Sequence, residues 1–284
     1  MISKLILGTV QLGLHYGINN ASGLMPYAEA NEILNLAYAN GIEIIDTAAD
    51  YGDSEKRIGQ FSKINHSAFS IISKFSKINK SWKASLSQSL ENLNVEKIDT
   101  IMFHSYESYA INKGIIHEIL NVKGSLFNKL GVSVYTNEEL AALKGDIYVD
   151  VIQCPFNLLD NHSIRSQYLI DLKEEKKTIH TRSVFLQGLF FMDIKNIPIK
   201  LKSLIPLLKN IHTISNDNHI SIGHLALQYA LSKNYIEGVL IGVDSIDQLK
   251  KNIFWANNLL DSKIFQEIDK ILIDNTTLLN PSKW

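Results

Sequence analysis

The chain has almost no sulfur chemistry to offer. Cys154 is its one cysteine in 284 residues, which excludes an intrachain disulfide framework and fits a reducing compartment. It lies in a strand-like run, Val151-Ile152-Gln153-Cys154, where a buried small hydrophobe is its ordinary role. No run of about 20 apolar residues occurs, so no transmembrane span is expected. The opening MISKLILGTVQLG lacks a long apolar core followed by a cleavage site, and reads as a first strand rather than a signal peptide. Neither sign of charge dominates. With 28 Lys plus Arg against 29 Asp plus Glu, the net charge of -1 gives no pull towards nucleic acid or an anionic membrane. A Ser/Gly/Pro linker between two compositions is also missing, so residues 1–284 read as one cytoplasmic domain with a large core.

What is present is a regular alternation. Apolar, β-branched runs at 4–9, 42–46, 69–73, 98–103, 129–133, 150–154, 178–183 and 238–242 read as strands. Helical patterns separate them. One begins at Pro26 and stops at Asn40-Gly41, and a short polar one runs Glu55–Gly59. Ser81 caps another with an apolar face at Leu86, Leu90 and Leu93, and one spans 107–122. Thr136 with Glu139 forms a capping box, and long helices are expected near 161–176, 200–212 and 221–232. A further helix opens at Ser245, and an amphipathic one at 262–273 leads into a C-terminal tail over about 261–284. Sequential βα units demand parallel pairing with right-handed crossovers. Eight of them close most economically into an α/β (β/α)8 TIM barrel, which leaves no edges. A doubly wound open sheet is the alternative, but glycines 8, 13, 17 and 23 do not have the GxGxxG spacing.

The polar strand ends carry the chemistry. The stretch Gly41–Glu55, GIEIIDTAADYGDSE, is an apolar run ending in Asp46, with Tyr51 a few residues on. An unpaired buried carboxylate is costly, so Asp46 needs a partner. Lys74 and His104 end the next two strands. In a barrel the C-terminal strand ends form one rim, so the three converge, with Tyr51 above them. Taken singly, each has a plain role: a solvated lysine, a hydrogen-bonded histidine, a loop tyrosine. Asp46 and His104 are too few for a metal site, and Lys74 would repel the cation. A lysine beside a tyrosine is expected to lower the phenol from about 10, with the acid holding the lysine charged. Such a phenol suits general acid catalysis at a carbonyl, with His104 hydrogen-bonding the same oxygen.

DTAADYGDSE, with Lys74 and His104 at these intervals, resembles the aldo-keto reductase superfamily over nearly the whole chain. The resemblance implies a (β/α)8 barrel that binds NADP(H), with NAD(H) as the other option, without a Rossmann fingerprint. It implies a catalytic tetrad of Asp46, Tyr51, Lys74 and His104 and no metal. Ser133 and Gln153 would hold the nicotinamide carboxamide, and Gly242, Ser245, Gln248 and Asn252 the adenosine and pyrophosphate end. A glycine turn before a helix N-terminus offers backbone N–H groups to phosphate; many helices also begin Gly-x-Asp-Ser for capping only.

Three positions depart from the family pattern. Val134 stands where many members have asparagine. Arg182 stands where many have a tyrosine stacked on the nicotinamide; its guanidinium could stack there, meet an anion, or sit solvated at the strand end. The loop after strand eight offers Asp244, with Lys250 and Lys251 nearby, rather than the usual lysine for a 2′-phosphate. An N-terminal hairpin plugging the barrel floor is not apparent in the sequence. The substrate pocket is expected from Gln11, Leu12, His15, Tyr16, Tyr106, Phe156 and Asn157, which suits a small carbonyl or sugar-like compound. Trp284 is expected to fray. The expected protein is a carbonyl-reducing monomer or weak homo-oligomer. A cofactor-binding sensor or accessory subunit without turnover is the alternative.

Overall fold

Eight parallel strands close into a barrel in sequence order: β1 (Leu5–Gly8), β2 (Ile44–Asp46), β3 (Ser70–Lys74), β4 (Ile98–Phe103), β5 (Phe127–Ser133), β6 (Val151–Pro155), β7 (Thr178–Arg182) and β8 (Gly238–Gly242). The ring shuts where β8 returns to β1, with Leu7 opposite Ile241 and Gly8 opposite Gly242. The computed structural model describes residues 1–18, 23–65, 69–75 and 81–284. Among them the α-helices are α1 (Val10–Gly13), α2 (Tyr27–Ala39), α3 (Ser54–Asn65), α4 (Trp82–Leu93), α5 (Tyr106–Ile111), α6 (Ile116–Leu120), α7 (Asn137–Ala142), α8 (His162–Glu174), α9 (Ile205–Asp217), α10 (Ile222–Leu231), α11 (Ile246–Asn257) and α12 (Ser262–Asp269). No hairpin precedes β1 among the described residues; a 3-10 turn at Ile2–Lys4 leads into it.

Side chains alternate along a strand, and here one set of each strand meets in the lumen. Ile6, Ile72, Met102, Val151 and Leu240 pack there as one cluster. Gly131 and Gly238 make room for it. A Cβ on Gly131 would lie 2.8 Å from Met102, and one on Gly238 would lie 2.4 Å from Ile6. The opposite strand faces join the helices in a larger apolar shell.

Local capping behaves as the sequence implies. Ser81 Oγ accepts from the Ala84 N–H, and Thr136 with Glu139 forms a full capping box. Several boundaries differ. The pattern at Glu55–Gly59 extends to Asn65, burying Ile58 and Phe61. The helix expected over 107–122 breaks, because Asn112 leaves helical geometry and Gly114, a weak helix former, sits in a 3-10 turn. The segment before α9 is a 3-10 helix, Ile199–Leu204, with Pro206 in the following first turn. The expected helix over 262–273 ends at Asp269, where the Asn161 amide caps the carbonyls of Ile268 and Ile271. Trp284 is half-buried rather than frayed, and its indole donates to the Leu278 carbonyl at 2.9 Å.

Candidate active site

Asp46, Lys74 and His104 stand two residues beyond the lumen-facing Ile44, Ile72 and Met102, so the strand stride aims all three at one end of the barrel. With Tyr51, Ser133, Gln153 and Arg182 they line a cavity of about 730 Å³. Gly242, Gln248 and Asn252 line it as well, at the start of α11. Ser245 does not line it; its hydroxyl accepts from the Gln248 N–H at 3.3 Å and caps α11.

Tyr51 is fixed by its loop. A hydroxyl relay runs from Thr47 to Ser54 (3.1 Å), from Ser54 to Thr9 (2.8 Å) and from Thr9 to the Asp46 carbonyl (3.0 Å). Glu55 accepts from Ser73 Oγ at 2.6 Å and from the Asn92 amide at 3.2 Å, tying α3 to β3 and α4. The Ser-Glu end of the motif therefore braces the loop. Gly52 takes φ +55° against Gly13, where a Cβ would come within 2.3 Å of the Gly13 carbonyl oxygen. No side chain fits that approach.

A buried ion pair lies beneath. Lys74 Nζ donates to Asp46 Oδ1 at 2.5 Å and to the Thr47 carbonyl at 3.0 Å, and Gln153 Nε2 donates to Asp46 Oδ2 at 2.8 Å. Burial lowers the Lys74 ammonium from its usual value, and the Asp46 carboxylate opposes that. The Lys74 ammonium lies 5.3 Å from the centre of the Tyr51 ring, and the Tyr51 and His104 rings meet edge-on at 5.7 Å.

The sequence-based expectation for Tyr51 is reversed in sign. Burial, then the Asp46 carboxylate, raise its phenol above the usual value, so the group holds its proton firmly. The reason is local: Asp46 is the nearest partner of the lysine charge. His104 is pushed down, first by burial and then by Lys74, and is a neutral imidazole at neutral pH. Its ring keeps 37% exposure, and Nδ1 lies 4.0 Å from Asp50 Oδ2.

Of the expected pocket residues, Gln11 and Tyr16 reach the cavity. The others do not line it. Leu12 is core, His15 is exposed, and Tyr106 leans on Tyr109. Phe156 stacks on Tyr229 at 5.5 Å, and Asn157 Oδ1 closes a turn by accepting from Leu159 and Asp160. Tyr135, Gln187 and Trp255 take their places in the wall. Tyr135 was findable, since it continues the stride of Ser133. The segment around Gln187 lies in a 3-10 run without a readable period.

At the α11 end, a Cβ on Gly242 would lie 2.7 Å from the Gln11 amide. Gln11 Oε1 and Asp244 Oδ1 are buried without a hydrogen-bond partner among the described residues. Burial raises the Asp244 carboxyl above its usual range. The Asp244 N–H donates to Gln248 Oε1 at 2.8 Å.

A closed βα barrel with an acid, a lysine, a phenol and an imidazole gathered on its rim belongs to the barrel enzymes. Residues 4–273 match the model of the Aldo/keto reductase family. The chain belongs to that family, and is by that membership an oxidoreductase. It is 24% identical over 315 residues to L-galactose dehydrogenase of Arabidopsis thaliana, covering 99% of this chain and 94% of that protein. Among solved structures, aldo-keto reductase AKR11C1 from Bacillus halodurans (holo form) matches with a TM-score of 0.71 at 19% identity, over 96% of this chain and 93% of that one. Glycerol dehydrogenase AKR11B4 from Gluconobacter oxydans matches at 0.71 and 18%, over 94% and 90%. Among the described residues no helix is long and apolar enough to cross a membrane, and no group of His, Cys, Asp and Glu could hold a metal.

Proposed function

We propose that the protein interconverts an aldehyde or ketone and the corresponding alcohol, using a nicotinamide dinucleotide bound along the cavity. The observation that carries the reading is the packing of Tyr51 against both Lys74 and His104 over a fully partnered buried carboxylate. The residues at the far end suit a dinucleotide. Gly242 lets the Gln11 amide lie against the backbone beside the α11 N-terminus, and that N-terminus favours phosphate. The unmet oxygens of Gln11 and Asp244 would accept hydroxyl hydrogens such as those of a ribose. Ser133, which lines the same cavity, would hold the nicotinamide carboxamide.

The dinucleotide, when bound, supplies the hydride for reduction and accepts it for oxidation. Tyr51 gives its proton to the carbonyl oxygen as that oxygen becomes an alkoxide. A phenol with a raised pKa still suits this step, because an alkoxide is a stronger base than a phenolate and the transfer runs downhill. The neutral imidazole of His104 donates a hydrogen bond to the same oxygen and orients the carbonyl. Lys74 repays the proton loss: once Tyr51 becomes a phenolate, the ammonium 5.3 Å from its ring stabilises the anion. For oxidation Tyr51 must first give up its own proton to solvent, and the phenolate, stabilised by the Lys74 ammonium, then accepts the alcohol proton. The sugar-named relative and the polar residues Gln11, Tyr16 and Gln187 in the wall support a polyhydroxy substrate.

Fluorescence titration with NADPH and NADH, followed by turnover of a panel of aldehydes and sugars, tests the reading. NADP(H) is expected to bind more tightly. Tyr51→Phe is expected to lose about 100-fold or more in kcat, the usual scale of general acid catalysis, with unchanged cofactor affinity. A Tyr51→Phe protein as fast as the parent would remove the assigned acid.

A further inference from the structure

Arg182 lines the cavity without an ion-pair partner among the described residues. Its Cζ lies 4.0 Å over the Tyr135 ring. Nη2 donates to the Val134 carbonyl at 3.1 Å, and Nη1 reaches Ser183 Oγ at 3.5 Å. A guanidinium has five N–H donors, so most of its donor capacity is unused. Among the described residues no carboxylate forms an ion pair with it, whereas Lys74 is matched by Asp46. Its charge is felt by Tyr51, Lys74 and His104, whose titrations it shifts. Lys74 and Asp46 answer each other beneath Tyr51, and the other charged residues of the lining, Asp244 and Lys251, lie at the α11 end.

The arginine is also held ready. Arg165 forms a two-pronged pair with Asp160, at 2.5 and 2.8 Å, and donates to the Tyr135 carbonyl at 2.6 Å. Tyr135 in turn supports the guanidinium face. Immediately beyond Arg182 the backbone is strained: Ser183, Leu186 and Gln187 have φ of +61°, +47° and +52°. Non-glycine residues in that region are costly and gather at ligand clamps. Gln187 then donates to the Tyr16 hydroxyl at 2.9 Å, joining the β7 loop to the β1 loop.

We infer that Arg182 recognises an anionic group, a carboxylate or phosphate, on the carbonyl substrate, so that the enzyme acts on acidic or phosphorylated sugar-like compounds. The inference rests on the carbonyl–alcohol reading above. One face of the guanidinium already lies on Tyr135, and its in-plane donors need acceptors that a stacked ring would not provide. An oxidised nicotinamide, itself cationic, would be a poor neighbour for this face. The phosphates of the cofactor are the other source of the same chemistry, and the test separates the two.

Wild type, Arg182→Gln and Arg182→Lys are compared on matched pairs: D-glyceraldehyde 3-phosphate against D-glyceraldehyde, and succinic semialdehyde against butanal. NADPH and NADH affinities are measured alongside. Wild type is expected to favour the anionic member at least 10-fold in kcat/KM. Arg182→Gln should lose 30-fold or more on that member, mostly through KM, while changing the neutral one less than threefold and the cofactor Kd less than twofold. Arg182→Lys should recover part of the loss. Equal use of both members by wild type overturns the inference, as does a loss confined to cofactor Kd, which would give the arginine to the cofactor. Calorimetric titration of D-glucuronate against D-glucose, without cofactor, decides the matter even if no carbonyl is turned over. Glucuronate binding that disappears in Arg182→Gln supports anion recognition while the redox reading fails; no preference for glucuronate over glucose overturns it.

Discussion

Gln153 donates to Asp46 Oδ2 at 2.8 Å across the whole width of the barrel, since β6 and β2 stand four strands apart in a ring of eight. Lys74 takes the other carboxylate oxygen, so Asp46 is met from two sides while only 2% exposed. A carboxylate this deep is tolerated only when so partnered. The same bonds fix the ammonium beneath Tyr51.

Breaking that arrangement on one side is expected to be severe. Lys74→Met should lower unfolding free energy by about 3–5 kcal/mol, because it strands a buried carboxylate. Gln153→Leu should cost about 1–3 kcal/mol, the penalty of one unmet acceptor. The double variant Asp46→Asn/Lys74→Met should cost less than the sum of its single changes. Urea denaturation of wild type, Gln153→Leu, Asp46→Asn, Lys74→Met and the double variant reads this out; strict additivity in the Asp46/Lys74 cycle would show that the two groups are not coupled.

The pH profile of carbonyl reduction should be flat through the usual histidine range. Burial and Lys74 hold His104 below 6.5, so it is already neutral there, while burial and Asp46 keep Tyr51 protonated well above neutrality. No inflection in kcat/KM is expected between pH 6 and 8. A step near 6.5 that vanishes in His104→Asn would mean that the imidazole titrates as an ordinary exposed one.

Acid stability should turn on His180, which the reaction does not use. It is 6% exposed, its Nδ1 has no partner among the described residues, and burial pushes its pKa down from 6.5 to about 4. The unfolded chain takes up a proton there below pH 6.5 and the folded chain does not until about pH 4. The stabilisation is therefore present above 6.5 and lost as pH falls, by about 3 kcal/mol at 1.4 kcal/mol per pH unit. Melts of wild type and His180→Gln from pH 7 to 4 should diverge in slope. Parallel curves would exclude this histidine as the cause.

Two glycines provide a contrast. Gly52→Ala adds a Cβ at φ +55°, 2.3 Å from the Gly13 carbonyl oxygen, and must displace the Tyr51 loop. It is expected to cut turnover at least 10-fold while sparing cofactor affinity, and to cost about 2 kcal/mol or more. Gly114→Ala meets nothing within 4 Å and has no unusual φ, so stability should stay within about 0.5 kcal/mol. Similar effects of both changes would refute the steric account.

Much of this was readable in the residues. The eight β-branched runs and their capped helices specify a barrel because period and punctuation agree at every unit. Asp46, Lys74 and His104 were visible as polar residues ending apolar strands, a place where burial without function is expensive. The interruption at Asn112–Gly114 was harder to read, because local propensity there favours helix only weakly and the turn competes with it. The cavity roles expected of Leu12, Phe156 and Asn157 failed for a similar reason: a residue's position in a loop does not reveal which way it turns.

The sequence by itself determined the order of elements, the closure of the sheet and the family, because these follow from side-chain period and from a motif contiguous in the chain. Only the tertiary structure decided the electrostatics. Whether Tyr51 gains or loses acidity depends on its depth and on which neighbour Asp46 has already claimed. Whether Arg182 is spent or available depends on Tyr135, Asp160 and Arg165, which are brought together by strands far apart in sequence. Charge interactions fall off over a few ångströms and vary with burial, so they belong to the folded arrangement and not to the order of residues.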